Sequence, residues 1–154
     1  MKVVINTCFG GFNLSKKAIK RLAELQGRDC YFFSSSFVDD EDKYTPCGDD
    51  ENDLFFTAFD IDNPNDDLRQ PKQWFEMSTE EKNAYNKLYE EHTFPDFRSD
   101  RTNPLLIQII EELGEAANGR FAKLHIVEIP DGIEYEIEEY DGNEHIAEVH
   151  RTWS

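Results

Sequence analysis

Two stretches of the chain carry residue types that could do chemistry. The first runs Cys8-Phe9-Gly10-Gly11-Phe12-Asn13-Leu14-Ser15-Lys16-Lys17. Paired glycines let backbone N–H groups come close to an anion, and the N-terminus of a following helix adds positive potential. Lys16 and Lys17 fall in the first turn of that helix, where the macrodipole disfavours cations, so a nearby anion would account for them. Phe9 and Phe12 flank the glycines and are candidates for stacking on a base. The plainer alternative is a tight turn with solvated lysines and two phenylalanines that plug the core. The glycine pattern is neither a Walker loop nor the dinucleotide fingerprint.

The second stretch is Glu139-Tyr140-Asp141-Gly142-Asn143-Glu144 with the tail His150-Arg151-Thr152-Trp153. Arg151 and Trp153 could form a cation and stacking platform for a phosphate and a base. The competing reading is a terminal strand whose Trp packs and whose Arg pairs with a glutamate. The candidate ligand set is therefore Phe9, Gly10, Gly11, Phe12, Ser15, Lys16, Arg151 and Trp153. In its sharpest form, Gly11 approaches the ligand through its backbone and Arg151 makes a charge-assisted contact to the same ligand.

Catalysis finds less support. Cys8 beside a helix start could be an activated thiol, but His92, His125, His145 and His150 fall into no Cys-His pattern. Asp49, Glu51, Asp53 and Asp60 roughly follow calcium-loop spacing, yet Leu54 stands where that loop requires glycine. Cys8, Cys30 and Cys47 have no zinc-ligand spacing. No catalytic residue, metal or cofactor is assigned.

Local signals place these residues on elements. Lys2 to Asn6 reads as a β-branched strand. Ser15 is the N-cap of a helix over Lys16 to Gln26, with Ala18, Ile19, Leu22 and Leu25 as its apolar stripe and Gly27 as its stop. Cys30 to Phe33 reads as a second strand. Ser34-Ser35-Ser36 and Asp39-Asp40-Glu41-Asp42 read as loop, and Leu54 to Phe59 as an aromatic run that forms a strand or clamps the excursion onto the core. Ser78-Thr79-Glu80-Glu81 is a capping box opening a helix to about Glu91. Pro104 starts another helix that runs to Ala117, with Leu105, Leu106, Ile109, Ile110 and Leu113 as its core face. Phe121 to Ile129 is expected as a strand, and the alternation from Ile133 to Glu138 with Asp141-Gly142 predicts a C-terminal β-hairpin.

The chain of 154 residues suits one α/β (α+β) domain over 1–154, a small mixed sheet with a C-terminal hairpin packed by about three helices. An acidic excursion at about 34–72 interrupts it and is read as functional or mobile. The net charge is −17, and residues 39–67 hold twelve acids against Lys43 alone. That balance argues against direct nucleic-acid binding, because a phosphate backbone would be repelled. It allows a DNA mimic or a locally basic pocket on an acidic body. There is no membrane span, the N-terminus turns polar too early for a secretory signal, and an odd, scattered cysteine set suggests reduced thiols in a cytosol.

Val3 to Ser15, Glu111-Glu112-Leu113-Gly114 through Ala117-Asn118-Gly119, and Ile137 to Gly142 through His150-Arg151 resemble a set of small phage and prophage proteins of uncharacterised function. The resemblance covers the first ~30 and last ~50 residues and implies a bacterial host cytosol, with no catalytic residues to transfer. The expected function is a non-enzymatic protein that sequesters a small nucleotide-derived anion, such as a host immune signal, and so counters bacterial defence. A homo-oligomer is expected, since subunit interfaces can enclose a ligand. The alternatives are an acidic module that occupies a host protein through residues 39–67, and an enzyme acting on a nucleotide or phosphate ester.

Overall fold

The computed structural model describes residues 1–38, 41–53 and 55–149. In chain order the elements are β1 (Lys2–Asn6), α1 (Lys16–Gln26), β2 (Tyr31–Val38), β3 (Glu41–Pro46), β4 (Thr57–Phe59) and α2 (Pro64–Asp67). There follow α3 (Thr79–His92), α4 (Pro104–Leu113), β5 (Leu124–Glu128), β6 (Tyr135–Tyr140) and β7 (Asn143–Glu148). Short 3-10 turns cover Trp74–Glu76 and Gly114–Ala117. The chain forms two compact units, Met1–Leu22 with Asp96–Ser154, and Ala23–Pro95.

In the first unit β1 pairs antiparallel with β5, Lys2 opposite Glu128 and Asn6 opposite Leu124. Val3, Val4, Leu22, Leu106 and Ile109 are buried, so the central β1 residues and the apolar faces of α1 and α4 make its core. The Ser15 cap forms as expected: its Oγ accepts from the Ala18 N–H at 3.1 Å and donates to the Ala116 carbonyl at 2.6 Å. Asn103 caps α4 through the Leu105 N–H, with Pro104 in the first turn, and the helix gives way to a 3-10 turn before Ala117. The expected hairpin is β6 and β7. Asp141 at φ 51° and Gly142 at φ 88° supply the two left-handed residues that a two-residue turn needs.

In the second unit β2 is the centre of an antiparallel sheet ordered β3-β2-β4. Phe33, Tyr44, Phe59 and Leu68 form its buried cluster, and Phe59 meets Tyr44 edge-on at 4.9 Å and Tyr89 of α3 at 5.7 Å. Burial in this aromatic cluster pushes the Tyr44 hydroxyl well above the usual phenol range, and Tyr89 pushes it in the same direction. The capping box at Ser78 and Glu81 is complete and opens α3.

The α/β character and the C-terminal hairpin agree with the sequence. Two local expectations are corrected. Ser34 to Ser36 lie inside β2, and Glu41 and Asp42 inside β3, with Ser36 opposite Lys43 and Ser35 opposite Tyr44; Asp39 and Asp40, expected in the same loop, lie outside the described residues. Serine and aspartate disfavour strands in isolation, but here Phe33 and Tyr44 anchor the ladder in the core. The strand expected from Phe121 begins only at Leu124, because the Ala122 N–H closes a turn onto the Gly119 carbonyl at 3.0 Å. The described strands form three small antiparallel sheets, β1-β5, β3-β2-β4 and β6-β7. None of their pairings is a parallel one of the kind a long crossover would produce.

Candidate functional site

The glycine loop after β1 is held by Asn6, whose side chain is fully buried. Its amide nitrogen donates to the Cys8 carbonyl at 2.9 Å and to the Gly142 carbonyl at 2.8 Å. Its oxygen accepts from the Lys123 N–H at 2.8 Å and from the Cys8 N–H at 3.3 Å. One side chain thus ties together the glycine loop, the start of β5 and the turn of the β6–β7 hairpin. All four capacities of the amide are used.

Glycine is needed where these segments touch. A Cβ on Gly142 would lie 2.5 Å from the Gly11 nitrogen, and one on Gly10 would lie 2.5 Å from the Phe121 carbonyl oxygen. Gly11 has open space around it but sits at φ 95°, so a side chain there is disfavoured by conformation, not by crowding. The glycine loop is therefore a middle strip, with the Gly119–Ala122 turn on one side and the hairpin turn on the other.

Three aromatic side chains project from these strips: Phe9 is 60% exposed, Phe121 60% and Tyr140 79%. Phe9 and Tyr140 meet edge-on with ring centroids 6.5 Å apart. Phe121 occupies the third position of its turn at φ 64°, a left-handed conformation that glycine ordinarily takes and that is unusual for a bulky residue. The Arg120 guanidinium lies 5.5 Å from the centre of the Phe121 ring. Two bases, Arg120 and Lys123, lie in the acid-free segment 116–127 beside the face; of the bases in residues 1–23, Lys2 pairs with Glu111, Arg21 pairs with Glu112 and Lys16 is buried.

Of the sequence candidates, Phe9, Gly10 and Gly11 belong to this face. Phe12 is buried, and the Arg101 guanidinium stacks on its ring at 4.0 Å. Ser15 is buried and committed to its cap and to Ala116, and Lys16 is fully buried at the start of α1. Arg151 and Trp153, and with them the shared contact of Gly11 and Arg151 on one ligand, lie outside the described residues. The residues that sequence reasoning missed are Asn6, Arg120 and Phe121. Tyr140 and Gly142 stood in the second candidate stretch, and the fold brings their turn onto the first. The sequence offered one signal for Phe121: it follows Asn118-Gly119-Arg120, a turn signature, where a strand was expected.

Beneath this face lies a buried ion pair. Arg101 grips Glu144 with its two terminal nitrogens, at 2.7 and 2.8 Å, and also donates to the Val4 carbonyl through Nη1 and to the Arg98 carbonyl through Nε. Glu144 further accepts from the Asn6 N–H at 2.8 Å. Burial alone would push the Glu144 carboxyl up, but the Arg101 guanidinium and the Asn6 N–H outweigh it and hold it below the usual carboxylate range.

The second unit holds a separate cluster. Asp60 accepts from Arg28 at 2.9 Å and pairs with His92 Nδ1 at 2.8 Å, while Arg28 lies 4.2 Å over the Phe94 ring. An ionised Asp60 fixes Nδ1 as the donor, which leaves Nε2 as the acceptor of a neutral ring. This is the orientation a general base needs, but it forms no nucleophile–base pair with any described residue. Burial pushes the Asp60 carboxyl up, and hydrogen bonds from His92 and Arg28 more than offset it, leaving the carboxyl below its ordinary value. The stability this adds is present above the unfolded carboxylate range, about pH 4, and is lost as pH falls through the lower folded value. Asp60→Asn is expected to remove that acid-sensitive component, measured as a flatter dependence of thermal stability on pH below about 4.

Among the described residues no group of three or more metal-ligating side chains is present, no disulfide joins the cysteines, and no helix is long and apolar enough to cross a membrane. An open groove of about 590 Å³ runs along α4, lined by Met1, Lys2, Pro104 and Ile107, and a cavity of about 120 Å³ lies by Tyr44, Asn65 and Tyr85. Neither includes a residue of the aromatic face. Comparison with protein-family models, with curated proteins and with solved structures found no match for the chain.

Proposed function

We propose that the chain is a non-enzymatic binding protein that holds a small nucleotide-derived anion against the face made by Phe9, Phe121 and Tyr140. The observation that carries this reading is Phe121, an exposed aromatic kept in a left-handed turn where glycine would be easier. Conformational strain at an exposed aromatic is expected where the ring serves contact and not packing. A flat ring offers a stacking surface for a base, and Arg120 and Lys123 add positive charge for a phosphate. The resemblance to small phage proteins supplies the setting, in which a host signalling nucleotide is sequestered. The acidic remainder of the chain is compatible with this, because Arg120 and Lys123 stand in a segment, 116–127, that holds no acid.

The test is calorimetric titration with cyclic dinucleotides and ADP-ribose, followed by Phe121→Gly. Glycine relieves a left-handed cost of roughly 1–2 kcal/mol, offset in part by its greater freedom in the unfolded chain. The variant is therefore expected to melt at or above the parent temperature and to lose nucleotide binding. Recovery of unaltered ligand by mass after denaturation separates a binder from an enzyme. Absence of binding by any of these nucleotides at millimolar concentration overturns the reading.

A further inference from the structure

We propose that this aromatic face is also the surface through which two copies of the chain pair around a two-fold axis. The contacts of the glycines set the order of its strips. Gly10 abuts Phe121 on one side, and the Gly10–Gly11 peptide abuts Gly142 on the other. Across the face this gives a basic strip with Arg120 and Lys123, an uncharged middle strip with Phe9, and a strip with Tyr140 and Asp141. A two-fold axis through the middle strip sets Phe9 against its own copy. It also sets the Arg120–Lys123 strip of each chain against Asp141 of the other. A surface that runs basic, aromatic, acidic is complementary to itself, which is what an isologous contact requires.

The charge of the whole chain selects the same place. Two molecules at −17 repel one another, and screening at physiological salt acts over roughly 8 Å. Close approach is least opposed where acids are few: of the segments that meet at the face, residues 7–13 and 116–127 contain none, and the hairpin turn brings Asp141 as the acidic flank. The face is built of turn tips and is open, so it cannot enclose a small molecule by itself; a second copy supplies the opposite wall. Two chains of the same net charge are expected to pair weakly, so the association is concentration-dependent. The pairing needs no nucleotide and is read on the free chain, so its failure and that of the binding reading are distinguishable.

The experiment is sedimentation of the full chain under reducing conditions across a wide concentration series. The parent chain is expected to shift from monomer toward dimer mass. Arg120→Glu with Lys123→Glu makes both flanks acidic and is expected to stay monomeric; so is Asp141→Lys, which makes both basic. An equimolar mixture of these two variants restores complementary flanks on both sides and is expected to recover the dimer. Phe9→Ser with Tyr140→Ser changes two exposed side chains and is expected to abolish pairing with an unchanged circular dichroism spectrum, which guards against a variant that fails to fold. A parent chain that stays monomeric at every concentration overturns the proposal. So does a mixture that fails to recover the dimer while both variants are folded. A monomer that still binds nucleotide overturns the pairing and leaves the binding reading standing.

Discussion

Glu144→Ala is expected to lower stability by about 3–5 kcal/mol, because it strands the Arg101 guanidinium in the interior without its counter-charge. The side chains of the pair are only 10% and 8% exposed, so solvent does little to compensate. Arg101 would keep its bonds to Val4 and Arg98 and its place over Phe12, and those contacts would hold the unpaired charge inside. Arg101→Met combined with Glu144→Leu is expected to cost less than the sum of the single changes, since an apolar pair leaves no buried charge. Chemical denaturation of the four proteins of this cycle checks it; strict additivity would mean that the pair is not coupled. The pair also sets an acid limit. The carboxyl of Glu144 is held low, so its contribution is present above the unfolded range and is lost as pH falls through the folded value.

Asn6→Ala is expected to have the next largest effect, and to act on the proposed binding face as well as on stability. It leaves the Lys123 N–H and the Gly142 carbonyl without their buried partner, at about 1–3 kcal/mol for each group so stranded. Hydrogen exchange at the Lys123 and Cys8 amides is expected to accelerate more than exchange in the second unit. Asn6→Asp separates the two halves of the amide. A carboxylate can still accept from Lys123 and Cys8, but it faces the Gly142 and Cys8 carbonyls with no proton to give. Nucleotide affinity in both variants is expected to fall further than Phe9→Ala alone would make it, because three turns lose their common anchor. If affinity survives while stability drops, Asn6 is a structural residue only.

The glycine loop shows where sequence reading stopped. Phe9 and Phe12 are the same residue type on either side of the same two glycines, and nothing local separates them. The first is solvent-exposed beside Tyr140, and the second is covered by an arginine 89 residues along the chain. Lys16 reads as a solvated or anion-facing lysine and is fully buried. Glu144 follows an acidic hairpin turn and looks like one more exposed carboxylate; it is the buried partner of Arg101. Asn6 ends a β-branched strand and has no local motif that marks it. Its partner Gly142 is 136 positions away.

What the sequence determined by itself are the elements whose signals are complete within a few residues. Ser15 and Gly27 bound α1, Ser78 and Glu81 open α3, Asn103-Pro104 opens α4, and Asp141-Gly142 turns the last hairpin. Each works through one backbone conformation or one capping bond, and such effects need no distant partner. The tertiary structure alone decided which charges are buried, which phenylalanine is exposed, and that the hairpin turn docks on the glycine loop. Those outcomes rest on close contact and desolvation between segments far apart in the chain, and local residue order does not encode which segments will meet.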